Sequence, residues 1–288
     1  MIMKPVLKHR CMLGEGPLWT NGRLFWFDIT AGRMLAWRPG DAEARSWTFG
    51  EPVSAAAPLE GGGLMIASAS SLLRFDPDTG GCEMIVPLEA DDARVRSNDG
   101  RADRQGGFWI STMGKAAEAG LGRIWRYFRG ELRCLRKGLA IPNAICFSPD
   151  GTLAYFADTA LATIWRWALD ADGWPLGDPQ PFLKVPEAEG GPDGAVVDRE
   201  GCLWNARWGA GRIVRLAPED GRVIETIRLS ASRPSCPAFG GDNLATLYVT
   251  TAQEGMSSDE LAAEADAGAL FETPVRVPGL ADTLVKLA

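Results

Sequence analysis

The sequence predicts an all-β chain: a single six-bladed β-propeller spanning residues 1–288. Three observations carry this. One layout recurs six times with a period of about 40–50 residues, the range of four-stranded propeller blades. The stretches between turns alternate in character with period two and are rich in Trp, Phe, Val and Ile, which suits pleated strands. The joins between strands also carry hairpin-turn chemistry, as in PDG (149–151) and DPDTG (76–80), where glycine takes positive φ without penalty.

Each repeat opens with a polar residue and runs to a glycine turn. The opening segments are GEGPLWTNG (14–22), SAAAPLEGG (54–62), NDGRADRQG (98–106), NAICFSPDG (143–151), DGAVVDREG (193–201) and SCPAFGGDN (235–243). A second strand follows each turn: RLFWFDI (23–29), GLMIASA (63–69), GFWISTM (107–113), TLAYFAD (152–158), CLWNARW (202–208) and TLYVTTA (246–252). A third recurs after these, in stretches such as GRMLAWRPG (32–40) and ATIWRWALD (162–170). The one helical signal is SSDELAAEADAG (257–268), with Ser257 or Ser258 as N-cap and Gly268 as stop, inserted in the last repeat. PVLKHR (5–10) and TLVKLA (283–288) are both strand-like and are expected to meet in one blade, closing the ring and removing two exposed edges.

Composition narrows the chemistry. Thirty basic against 37 acidic residues give a net charge of −7, which disfavours nucleic acid, whose phosphates need a basic surface, and an anionic membrane face. No stretch approaches the roughly 18 apolar residues of a membrane span, and the N-terminal residues contain no secretory apolar run. A cytoplasmic location follows as the expectation. Six cysteines form no CxxC and fit no zinc spacing, so they read as reduced, mostly buried small hydrophobes. The one histidine, His9, lies near the N-terminus, outside the segments that open the repeats. A Ser-His-Asp mechanism or a multi-histidine zinc site is therefore unsupported, and hydrolysis would fall to carboxylates, amides and a metal that accepts oxygen ligands.

In a propeller the first strand of each blade lines the central channel. Counting back from the turn glycine aligns the repeats. Ser54, Asn98, Asn143 and Asp193 each lie eight residues before Gly62, Gly106, Gly151 and Gly201; Glu15 lies seven before Gly22, and Ser235 falls at the matching place of the sixth repeat. All six are polar and oxygen-bearing. Two carboxylates and amide oxygens at one level suit a hard divalent cation, without which Glu15 and Asp193 would repel each other. Asn, Asp and Ser also begin strands and make turns; Glu15 is a poor turn residue, and Ser54 and Ser235 read as wall. Arg96 precedes Asn98 by two residues and reaches toward the channel mouth or into solvent. Asp99 is a supporting acceptor or a strand-end residue. Glu118 sits in KAAEAGLG (115–122), a loop over the site or a plain exposed loop. GAGRIV (209–214) copies part of a dinucleotide loop, but no helix follows.

LGEGPLW (13–19), RSNDGRADRQGGFWISTM (96–113), IPNAICFSPDG (141–151), GGPDGAVVDREGCLW (190–204) and FGGDNLATLYVTTA (239–252) resemble the regucalcin/gluconolactonase, or senescence-marker-protein, family along almost the whole chain. The resemblance implies a six-bladed propeller. It implies one divalent metal (Zn, Ca, Mg, Mn or Fe(II)) held by Glu15, Asn143 and Asp193, with Arg96 and Asn98 contacting a sugar lactone. Some relatives place a Glu soon after the STM stretch; here Ala116 stands there, with Glu118 two residues on. The function so implied is hydrolysis of an aldonolactone to its aldonic acid, with Asp193 as general base and a small-molecule sugar lactone as partner. A non-catalytic metal- or metabolite-binding propeller and a paraoxonase-like esterase are the rival readings, although esterases of that type add channel histidines that this chain lacks.

Overall fold

Why each repeat becomes a four-stranded sheet is visible in its turns and its apolar faces. The computed structural model describes residues 2–288 and contains six antiparallel four-stranded sheets arranged as the blades of a β-propeller. The innermost strands are Gly14–Thr20, Val53–Pro58, Val95–Ala102, Pro142–Phe147, Gly191–Val197 and Pro234–Gly240, and all six are almost wholly buried. Two further strands follow in each blade at the predicted places, for example Leu153–Asp158 and Thr163–Ala168 in the fourth. A fourth strand completes the outer edge and is the most exposed, as in Val223–Arg228.

The core lies between blades. Trp109 packs edge-on against Phe147 of the next blade, with ring centroids 5.4 Å apart, and Trp204 against Phe239 at 6.0 Å, the tilted geometry aromatic pairs prefer. Blades three and five share a polar fastening in the same register. Asp103 accepts from the backbone of Gln105 and Gly107, from Trp109 Nε1 (3.0 Å) and from Arg126 Nε (2.7 Å). Asp198 repeats this with Glu200, Cys202, Trp204 and Arg215.

The ring closes differently from the expectation at its C-terminal end. Of PVLKHR only Pro5 lies in a strand, and residues 6–10 run on without strand pairing. Lys4–Pro5 pairs with Phe271 and Glu272 as the outer strand of the last blade and seals the ring. TLVKLA does not join it. Val285 donates to the Pro58 carbonyl and accepts from Glu60, and Lys286 donates to Gly106, so this segment crosses blades two and three. The reason is apolar: Val285, fully buried, fits beside Leu59, Leu88 and Tyr127. The helix is also shorter than its signal. It covers Ser258–Ala263, capped by Ser257 and Glu260 in a reciprocal capping box. It stops before Gly268 because Glu264 and Asp266 are drawn onto Ser232 N and onto Arg10 and Ser230.

Candidate active site

Five of the predicted residues, Glu15, Arg96, Asn98, Asn143 and Asp193, line one cavity of about 260 Å³ at the end of the channel where the inner strands begin. The register that the turn glycines define is real in space. At this level every inner strand shifts its pairing with the second strand by a bulge: between Glu15 and Leu18, Ser97 and Gly100, Asn143 and Cys146, and Pro192 and Ala195, with the same break in the two serine blades. A bulge adds an unpaired residue and re-aims its side chain. The backbone shows the cost. Gly16 follows Glu15 at φ +55°, and Ala144, which carries a Cβ, follows Asn143 at φ +57°, a strain retained where surrounding structure fixes it.

A directional hydrogen-bond chain sets the amides. The Thr159 hydroxyl donates to the Pro192 carbonyl (2.8 Å), so it accepts from Asn143 Nδ2 (2.9 Å). That leaves Asn143 Oδ1 facing Asn98, whose Nδ2 donates to it at 2.8 Å. Asn98 Oδ1 in turn accepts from Arg96 Nη1 at 2.7 Å, and the same nitrogen donates to the Ser97 carbonyl at 3.0 Å. Each carbonyl oxygen has two lone pairs, so Asn143 Oδ1 keeps one for a further ligand.

The carboxylates are in the opposite condition. Glu15 and Asp193 are 5 % exposed each and form none of the ion pairs among the described residues. Burial, then the charge of Asp99, pushes the Glu15 carboxyl up; the Gly16 amide, which donates to it at 2.7 Å, offsets part of this. Burial, then Glu15, pushes Asp193 well above the usual range. Two buried carboxylates beside a free amide lone pair, all hard oxygen donors, fit a divalent cation, which would compensate both charges. Burial also draws the Arg96 guanidinium down, against the opposing charge of Glu254.

Other predicted residues fall elsewhere. Asp99 is outside the lining: its Oδ2 accepts from Ile145 N at 2.6 Å, tying blade three to blade four. Ser54 and Ser235 are wall, bonded to Ser97 Oγ and to the Gly14 carbonyl. Glu118 turns back to accept from Ala116 N (3.1 Å) and covers Gly114, where a Cβ would collide with it. A second cluster, His9, Cys11 and Asp28, gathers metal-capable atoms within 4.8 Å, but both Asp28 oxygens accept backbone amides of Met12 and Leu13. Asp158 does the same for Ala140 and Ile141, so this is a fastening repeated between blades.

Residues 13–253 match the model of the SMP-30/Gluconolactonase/LRE-like region. The chain belongs to this family. Within it, the chain is similar to 6-deoxy-6-sulfogluconolactonase of Pseudomonas putida, at 35% identity over 98% of each chain. L-arabinolactonase of Azospirillum brasilense is 34% identical over 94% of this chain and 91% of its own length. Among solved structures, regucalcin of Agrobacterium tumefaciens, described as a calcium-binding protein, superposes with a TM-score of 0.95 at 35% identity, covering 99% of this chain and 98% of its own.

In this SMP-30/gluconolactonase-family chain the pattern of inner strands missed a second group of lining residues: Lys115, Thr159, Trp208 and Glu254. All four lie where second strands end. Antiparallel pairing brings those ends back to the edge at which inner strands begin, and that relation is the signal by which they are found.

Proposed function

We propose that the chain is a metal-dependent sugar lactonase, a carboxylic ester hydrolase that opens an aldonolactone to its aldonic acid. The proposal takes residues 1–288 as one domain working in the cytoplasm on a small-molecule lactone. The observation that carries it is the pair of buried, uncompensated carboxylates, Glu15 and Asp193, set beside the oriented amide of Asn143. These three are the residues that would hold one divalent ion; Zn, Ca, Mg, Mn and Fe(II) all accept such oxygen donors. Bound there, the ion supplies Lewis-acid polarisation of the lactone carbonyl and charge for the tetrahedral oxyanion.

The chain's own groups do the rest. Arg96 and Asn98 hold the substrate's ring oxygens, with Arg96 Nη1 committed to Asn98 and Ser97 and its remaining N–H groups left for substrate. Asp193 takes a proton from the attacking water as the water oxygen bonds to the carbonyl carbon. The ring C–O bond then breaks, and the proton passes to the departing alkoxide. Among the described residues no helix is long and apolar enough to cross a membrane.

The test is a panel of aldonolactones assayed after chelation and after return of each metal. Turnover that vanishes on chelation and returns with metal supports the reading. Full activity in a verified metal-free sample ends the metal assignment, and absence of turnover of any lactone with every metal favours a binding protein.

A further inference from the structure

The geometry points to a lactone that carries an anionic group at its far end, with Lys115 as the residue that selects it. This names the substrate class and rests on the lactonase reading. The loop after the second strand of blade three contributes Lys115, Ala116 and Ala117 to the cavity wall. None of the three side chains it puts in the wall is an acceptor. Two of them are methyl groups, and the loop's one carboxylate, Glu118, stands outside the lining, accepting from the Ala116 amide and lying against Gly114. A neutral polyol tail seeks acceptors for its O–H groups and gains none from these side chains. A carboxylate or sulfonate tail is acceptor-only and needs donors alone. Lys115 is that donor: its ammonium gives one N–H to the Ala93 carbonyl at 2.8 Å and has two more.

The charges of the cavity point the same way. Glu15 and Asp193 belong to the cation of the proposed function, and Glu254 is the strongest opposite charge felt by Arg96. Nearer the loop, Glu118 acts on Arg94, which pairs with Asp92. Lys115 forms none of the ion pairs among the described residues. Arg96, the other cation of the lining, forms none of them either, but it is held on Asn98 and Ser97 and faces the charge of Glu254. Lys115 has the Ala93 carbonyl alone, so a substrate anion completes its set.

The experiment compares two lactones of one sugar and one ring size, galactonolactone and galactarolactone, and a second pair, gluconolactone and its 6-sulfonate. Lys115→Met and Lys115→Glu are measured beside the parent. The parent is expected to favour the anionic member in kcat/KM, with the difference in KM. The anionic-to-neutral ratio should fall at least about fivefold in Lys115→Met and further in Lys115→Glu, the order of one partly screened charge pair. Raising salt from about 0.05 M to about 0.5 M should erode the preference in the parent and leave Lys115→Met unmoved. Preference for only one anion pair tells carboxylate from sulfonate. Calorimetric binding of the open-chain acids, galactarate against galactonate, reads the same selectivity without turnover. A chain that turns over no lactone but binds galactarate through Lys115 therefore loses the lactonase reading and keeps this one. A parent with no anionic preference in either measurement, or a ratio unchanged in Lys115→Met, overturns the inference.

Discussion

At the residue scale the site is a balance of charge and of amide orientation, and each can be disturbed separately. Asp193→Asn keeps size and one ligand oxygen, so the blades should form normally while the base and one ligand charge disappear. Loss of a general base costs about 10²–10⁴ in rate; a variant retaining more than about a tenth of parental kcat/KM at saturating metal would remove Asp193 from that role. Thr159→Val tests orientation alone. Without the hydroxyl, Asn143 Nδ2 loses its acceptor and the Asn98 donor alone holds the amide's orientation, and metal affinity measured by calorimetry should weaken by about 10–100-fold, the usual effect of losing a residue that orients a ligand. Glu15, Asn98, Asn143 and Asp193 were legible in the sequence because inner strands keep a near-constant distance to their turn glycine. Lys115, Thr159 and Trp208 were not, because they fall nine, eight and seven residues after Gly106, Gly151 and Gly201: second strands end raggedly, and no single register collects them.

At the element scale, the blade is a strand–turn–strand unit whose polar parts are as repetitive as its apolar ones. The strands were readable from aromatic alternation and glycine turns. The bulges were not, since the residue after the site residue is Gly16 in one blade and Ala144 in another, and only the backbone reveals their common conformation. The Asp103–Arg126 pair, with both side chains fully buried, should behave unlike the exposed Arg133–Glu131 pair. Arg126→Met strands the Asp103 charge in the core and should cost about 3–5 kcal/mol in chemical unfolding. Arg133→Met should cost at most about 1 kcal/mol. Equal effects would mean that the buried fastening adds nothing.

At the scale of the whole molecule, sixfold repetition announced the propeller, while the fate of each chain end depended on contacts that no repeat encodes: Val285 found an apolar socket between blades, and the outer edge of the last blade was already taken. Burial also governs the cysteines. Among the described residues all six are free, with Cys11, Cys146, Cys202 and Cys236 buried and Cys82 exposed. Burial pushes the Cys11 thiol up to about 12 and raises Cys146 and Cys236 as well, so these remain protonated and unreactive at pH 8. A thiol reagent should label Cys82 first and partly buried Cys134 slowly, releasing the other four only on unfolding; rapid labelling of Cys146 in the native protein would contradict the packing. The two-residue strand Lys4–Pro5 has a temporal consequence. During synthesis it emerges long before its partner, Phe271–Glu272, is made. The nascent ring thus stays open until that partner has emerged, and closure is among its slowest, least local steps. The same seam is the shortest pairing in the circle, so under mild denaturant the amide of Val6 should exchange with solvent before those of any inner strand.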